Sequence, residues 1–434
     1  MEKIVNVIGA GLAGCECAYQ LAKRGIKVRL YEQKPIEFSP AHSSKDFAEI
    51  VCSNSFKSKE LTNACGLLKE EMRLLDSLII SAADQNSVPA GASLSVDREK
   101  FSAYITQIIK ENKNIEVINE VFENIDENQI TVIATGPLTN EKLSKNLAKL
   151  IGQESLYFFD AAAPIVSLNS LDENYYFEGN RYNKGNENSS GDYINCTMTK
   201  DEYDLFYNEL ISAKTVELKD FENDKVFEGC MPVEIMAKRG YKTLLYGMLK
   251  PVGLYDEKHN VKPYAVLQLR KESNFNDLYN LVGFQTNLLF GEQKRVFSLI
   301  PALKNAEFVK YGVMHKNTFL NAPKLLNNLY QLKGHENIYI AGQLSGVEGY
   351  VESTASGLNV ALNIIQILNN KEPQHFSSQT VIGALINYIT SANENNFQPM
   401  NANWGIVANA NKNNREESIE NSLNEVKEYL KNLS

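Results

Sequence analysis

Apolar and polar positions divide the chain into two textures, one of which returns near the end. At the start, "KIVNVIG" is an apolar run, "GAGLAG" a glycine turn, "CECAYQLAKRG" a helical repeat closed by Gly25, and "IKVRLYE" a second apolar run. That order predicts strand, turn, helix and strand, the opening of a βαβ unit. Residues 66–82 carry helical spacing through Leu67, Leu68, Met72, Leu75 and Ile79, and "REKFSAYITQIIKEN" predicts another helix. "NQITVIATGP" predicts a buried strand ending in a tight turn. From about residue 166 Tyr, Asn and Gly rise, and runs such as "TLLYGML" and "YAVLQLRK" alternate as half-exposed antiparallel strands do. At "HENIYIAGQLSG" the first texture returns, followed by the helical "VESTASGLNVALNIIQIL". The pattern predicts an α/β domain of residues 1–165 and 310–434, interrupted by a smaller α+β insertion domain at 166–309. Near the end Ile419, Leu423, Val426, Leu430 and Leu433 form one apolar helical stripe, whose default use is docking against its own domain.

Composition adds boundaries. A chain of 434 residues with 43% hydrophobic and 22% charged positions reads as an ordinary soluble globular protein of two or three domains. No window holds 18 uninterrupted apolar residues, which argues against a membrane span. The first apolar stretch lacks a basic leader and is broken by Asn6, Glu16 and Gln20, so it is read as a folded element and the protein as cytoplasmic. A net charge of −9 argues mildly against nucleic acid, yet eight Lys/Arg against two acids between Lys238 and Lys271 make a local +6. One basic face on an acidic protein would account for this, as would an ordinary solvated surface.

Gly9-Ala10-Gly11-Leu12-Ala13-Gly14 fits G-x-G-x-x-G between a predicted strand and helix. Glu32 ends the next strand, where a carboxylate accepts ribose hydroxyls. A second strand–turn–helix unit, "IYIAGQLSGVEGYVESTASG", returns late in the chain and favours FAD over NAD. Its helix N-terminus would face the flavin ring, with Gly342, Gln343 and Tyr350 at the cofactor. The fold expected is therefore a Rossmann-like FAD-binding domain of the glutathione-reductase type. The sequence holds no second G-x-G-x-x-G, so the flavin is reduced by something that docks transiently or by the substrate.

Six cysteines (15, 17, 52, 65, 196 and 230) are too dispersed for a disulfide scaffold, none forms C-x-x-C, and no metal site is expected. Cys15, Cys17 and Cys65 read as core, and Cys196 has no clear reading. Cys52 in "EIVCSNSFKS" and Cys230 in "FEGCMPVEIMAKRG" lie outside obvious helices near Lys57, Lys59, Lys238 and Arg239, the setting a thiolate needs. Composition by itself leaves packing as the commoner use of either thiol.

The blocks "FAEIVCSNSFKS", "GLLKEEMRLLDSLI", "VPAGASLSVDREKFS", "GCMPVEIMAKRG", "YAVLQLRKE", "GEQKRVFSLIPALKNAEFVKYGVMHKNTFLNAP" and "FQPMNANWG" add a resemblance. In order, and over nearly the whole chain, they are similar to the TrmFO family, FAD- and folate-dependent RNA uracil-5-methyltransferases related to the GidA flavoproteins. The resemblance implies that 5,10-methylenetetrahydrofolate supplies a one-carbon unit through N5 of reduced FAD. It implies that a cysteine adds to uracil C6 so that C5 takes the unit, and that NADPH or NADH restores reduced flavin. The family's two functional thiols fall on Cys230, assigned as the nucleophile, and Cys52, assigned to proton transfer or protection of that nucleophile. The target is a tRNA T-loop uridine or, as in the RlmFO-like branch, a 23S rRNA uridine, with the stretch 238–271 facing the RNA. Asn287 stands where many members have His and Phe290 where they have Trp, which predicts altered or weakened folate binding. Monomer and homodimer both stay open. A small-molecule flavin oxidoreductase and a non-catalytic RNA-binding flavoprotein are the rival readings.

Overall fold

The computed structural model describes residues 4–152, 156–161, 163–183, 191–216, 231–272, 277–312, 314–411 and 413–433. Its first half runs β1 (Ile4–Ile8), α1 (Leu12–Lys23), β2 (Lys27–Glu32), β3 (Ser55–Ser58), α2 (Ala64–Leu74), α3 (Leu78–Gln85), β4 (Ser87–Val88), β5 (Ser93–Val96), α4 (Arg98–Glu111), β6 (Ile115–Asn119), β7 (Thr131–Ile133) and α5 (Glu141–Ile151). Next come β8 (Leu156–Ala161), β9 (Ile165–Ser167), β10 (Tyr176–Glu178), β11 (Tyr193–Met198), α6 (Lys200–Ser212), α7 (Val233–Lys238), α8 (Thr243–Tyr246), β12 (Ala265–Lys271), β13 (Leu278–Leu281), α9 (Phe290–Phe297) and β14 (Phe308–Lys310). The chain returns through β15 (Met314–Phe319), α10 (Ala322–Leu325), β16 (Ile338–Ile340), α11 (Tyr350–Leu368), α12 (Val381–Ser391) and α13 (Arg415–Leu433).

Among the described residues, β16-β7-β1-β2-β6 form a five-stranded sheet. All its neighbouring pairs are parallel, as near-continuous apolar runs buried on both faces require. The strands β10-β11-β12-β13-β9-β14 form an antiparallel sheet with a core of its own, from Val166 to Ala306. The antiparallel ribbon β8–β15 joins the two regions, and β3-β5-β4 make a small sheet on the parallel side. The fold is a mixed α/β flavoprotein-like architecture built on a Rossmann-type parallel sheet. Helix α11 is buried along almost its whole length and crosses α1 so closely that a Cβ on Gly357 would lie 2.2 Å from Ala13 O. That close approach brings the late strand–turn–helix unit alongside the early one.

Two local expectations are corrected. The helix expected over 66–82 is two helices, because Asp76 takes a left-handed φ of 56° and Ser77 caps α3 through Ile80 N. The buried Glu16 carboxylate fixes that break by accepting from Ser77 Oγ at 2.8 Å and Ile79 N at 3.0 Å. "TLLYGML", expected as a strand, holds the short helix α8 instead. Its amides are satisfied locally, Thr243 N on Gly240 O and Gly247 N on Thr243 O, both at 3.0 Å.

The C-terminal helix docks on its own domain. Val426 and Tyr429 are buried in the main core, with Ile419, Leu423, Leu430 and Leu433 packed against it. Glu71 of α2 fastens this corner: its buried carboxylate accepts from Val381 N (2.7 Å), Ile382 N (2.9 Å) and Ser422 Oγ (2.6 Å). Burial outweighs these donors and pushes the Glu71 carboxyl up to about 7 from an ordinary 4.5. Between those values the folded state binds more protons than the unfolded chain, so this group makes stability fall as pH rises from about 4.5 to about 7 and adds no slope above. Glu71→Gln is expected to flatten that part of the profile. Parallel Tm-against-pH curves for the two proteins would refute the assignment.

Candidate active site

The glycine turn follows from steric necessity. Gly9 has φ +97°, and a Cβ there would meet Ala134 O at 2.8 Å. A Cβ on Gly14 would meet Gly9 O at 1.8 Å, whereas one on Gly11 would meet nothing within 4 Å. The chain thus needs glycine at 9 and 14 for its own packing. At Gly11 the space in front of the backbone is left for something else. Helix α1 has no side-chain cap at Gly11 and no acid in its first turn, so its N-terminal amides and positive dipole end are available to an anion.

These elements open on a cleft. Gly9, Ala10, Gly11, Leu12, Ala13, Glu32, Gly342, Gln343 and Tyr350 all line it. Gly14 lies behind the turn and sets the distance between helix and strand. Glu32 is buried; one carboxylate oxygen accepts from Ala10 N at 2.8 Å and the other from Lys34 N at 3.0 Å. It therefore locks the glycine turn to the end of β2 while facing the cleft. The late unit closes the other side. Gly342 N donates to Ser356 Oγ at 2.7 Å, and Gln343 Nε2 to Glu348 Oε2 at 2.7 Å. A cleft with a bare helix N-terminus, a carboxylate at the second strand and a second turn–helix unit opposite fits an elongated dinucleotide such as FAD.

Tyr350, the first residue of α11, ties the cleft to the thiol loop. Its hydroxyl accepts from Cys52 N at 2.9 Å and Ser53 N at 3.2 Å, while its ring packs on Phe56. Burial, and then the neighbouring Cys52 thiol, hold the Tyr350 phenol well above its ordinary value. Cys52 is itself half-buried.

The family model for glucose inhibited division protein A (GidA) matches residues 4–372. A protein of Acetivibrio thermocellus named methylenetetrahydrofolate–tRNA-(uracil-5-)-methyltransferase TrmFO is 56% identical over 94% of this chain and 92% of its own. One of the same name from Bacillus licheniformis is 53% identical over 100% of this chain and 99% of its own. The chain belongs to the GidA family, in its TrmFO branch. GidA from Aquifex aeolicus shares the fold, with a TM-score of 0.70 at 15% identity over 99% of this chain and 75% of that one.

Against this TrmFO frame, Cys230 lies outside the described residues. Cys15, Cys17, Cys65 and Cys196 are buried, and burial raises each thiol, Cys65 to about 11 with Glu352 adding to the effect. Asn287 is buried, and its amide donates to Val216 O at 3.1 Å. Its backbone N–H donates to Glu234 at 2.8 Å. Phe290 is 55% exposed and stacks on Tyr311, which stacks in turn on Phe308. The basic stretch is not one uniform face: Lys238, Arg239, Lys242, Lys258 and Lys262 are exposed, but Arg270 is buried. Among the described residues no group of three or more His, Cys, Asp or Glu could hold a metal ion, and no helix is long and apolar enough to cross a membrane.

Sequence reasoning named Lys57 beside Cys52 but missed its partner. Lys57 has a left-handed φ of 62° and pairs at 3.0 Å with the fully buried Glu352 in the first turn of α11. Against the pull of desolvation, attraction to Glu352 holds the Lys57 ammonium above its ordinary value. Its one sequence signal was the cationic flank of "SNSFKS"; the partner lies 295 residues away.

Proposed function

We propose that this chain is an FAD- and methylenetetrahydrofolate-dependent RNA uracil-5-methyltransferase that converts a tRNA uridine to 5-methyluridine. The observation that carries it is Tyr350, which lines the dinucleotide cleft and holds the backbone of the Cys52 loop. A thiol beside a flavin site is what methylation of an unreactive uracil carbon needs. The tRNA target is supported by the names of the relatives at 53% and 56% identity. A 23S rRNA uridine is the other outcome of the test.

In this reading residues 166–309 are an inserted domain, and Lys238, Arg239 and Lys242 meet RNA phosphates. The α1 N-terminus and Gly11 take the pyrophosphate, and Glu32 the adenosine ribose. The bound flavin supplies the one-carbon and hydride chemistry, with NADPH or NADH as its reductant. The Cys230 thiolate adds to C6 of the uracil, which makes C5 nucleophilic; Cys52 moves a proton or shields that thiol. Asn287, its amide spent on Val216 O, offers no imidazole face to a pterin, so folate is the donor but is held weakly. The test is 5-methyluridine formation on tRNA and 23S rRNA transcripts with methylenetetrahydrofolate and NADPH. Product on tRNA, with a folate KM that falls in Asn287→His, is expected. Product on 23S rRNA alone moves the target, and none on either RNA removes the function.

A further inference from the structure

The Cys52 loop is gripped from the antiparallel sheet by charged side chains that the reading above does not use. Arg270 of β12 donates through Nε to Asn54 Oδ1 at 2.8 Å and through Nη2 to Ser53 Oγ at 2.6 Å. Asn54 Nδ2 donates back across the seam to Lys271 O at 2.9 Å. Glu272, just past β12, pairs with Arg98 at the head of α4 at 2.5 Å, and Arg98 Nη1 donates to Ile50 O at 2.6 Å. A guanidinium therefore holds the loop on each side of Cys52, through the Ile50 carbonyl upstream and through the Ser53 and Asn54 side chains downstream. Gly91 N on Asp192 Oδ2 (2.5 Å) and Tyr193 Oη on Ala90 O (3.1 Å) continue the same seam.

A seam that only joined two sheets would be cheaper as an apolar surface, because a buried guanidinium carries a desolvation cost that neutral partners offset poorly. Arg270 is 7% exposed, and among the described residues it forms no ion pair. Burial pulls its guanidinium below the ordinary value. The Cys52 thiol acts on the titration of Arg98, Arg270 and Lys310 alike, so all three cations lie within its electrostatic reach.

We propose that Arg270 and Arg98 are positioning residues for Cys52. They clamp its loop across the two sheets and present positive charge to its thiolate, so that docking of the antiparallel sheet sets the reactivity of the thiol. The proposal rests on the reading that Cys52 takes part in methyl transfer. Its test does not depend on methylation. Iodoacetamide alkylation of Cys52 in the flavin-loaded full chain, under a phosphine reductant, is followed by peptide mass spectrometry across pH.

Arg270→Met is expected to slow alkylation about tenfold near neutral pH, with Arg270→Lys recovering most of the rate. In turnover the same loss would fall on kcat and leave the KM for RNA unchanged. If Arg270→Met does not fold, Glu272→Gln, which leaves both guanidiniums in place but removes the ion pair that holds Arg98 on the loop, is expected to slow alkylation severalfold. Unchanged or faster alkylation in folded Arg270→Met, or in Glu272→Gln when Arg270→Met does not fold, overturns the proposal. Cys52→Ala with undiminished methylation would instead remove the functional reading and leave the alkylation result standing.

Discussion

Gly11→Val is expected to leave the folded chain intact and strip it of flavin, whereas Gly14→Val is expected to damage both. A Cβ at Gly11 meets no protein atom within 4 Å, and the residue's φ of −78° suits any L-amino acid. Its added methyls therefore occupy only the space a pyrophosphate would take. Overpacking at close contact costs about 1–3 kcal/mol, which is about five- to a hundred-and-fiftyfold in affinity. At Gly14 the Cβ would lie 1.8 Å from Gly9 O, so α1 must move off the turn and carry its dipole end with it. Flavin absorbance per chain and the Tm of flavin-free protein check both variants. Full flavin occupancy in Gly11→Val would mean that the cleft binds its ligand another way.

Cys230→Ala is expected to abolish 5-methyluridine formation, by about a thousandfold or more, as loss of a covalent nucleophile does. Flavin content should be unchanged, since Gly9, Gly11, Glu32 and Gly342 line the cleft that takes it. Turnover assays on the substituted protein, beside Cys52→Ala, divide the two roles. If Cys230→Ala turns over and Cys52→Ala does not, the roles exchange. Tyr350 makes that outcome structurally reasonable, because it already places the Cys52 loop at the cleft.

The sequence was most legible where structure is local. The βαβ opening, the steric demand for glycine at 9 and 14, and Glu32 at a strand end each depend on residues within one supersecondary unit. The break at Asp76 and Ser77 was missed because the partner that stabilises it, Glu16, lies 61 residues from Ser77 and on another helix. Helix α8 was read as a strand because alternation over seven residues cannot be told from a single helical turn. The position of Cys230 lies outside the described residues, so its role rests on the resemblance.

Taken by itself, the sequence determined the fold class, the glycine turn with its acidic partner, the family, and Cys52 as a thiol of interest. The first two follow from nearest-neighbour sterics and periodicity, which the chain carries wherever it goes; the family and the interest of Cys52 rest on the resemblance of its sequence blocks. The tertiary structure alone decided what Cys52 touches. Tyr350 reaches it across 298 positions, and Arg270 reaches Ser53 across 217. Residues so far apart meet only after α1 and α11 cross and the antiparallel sheet docks. No periodicity encodes such a meeting, because it is fixed by the packing of whole elements rather than by the spacing within any one of them.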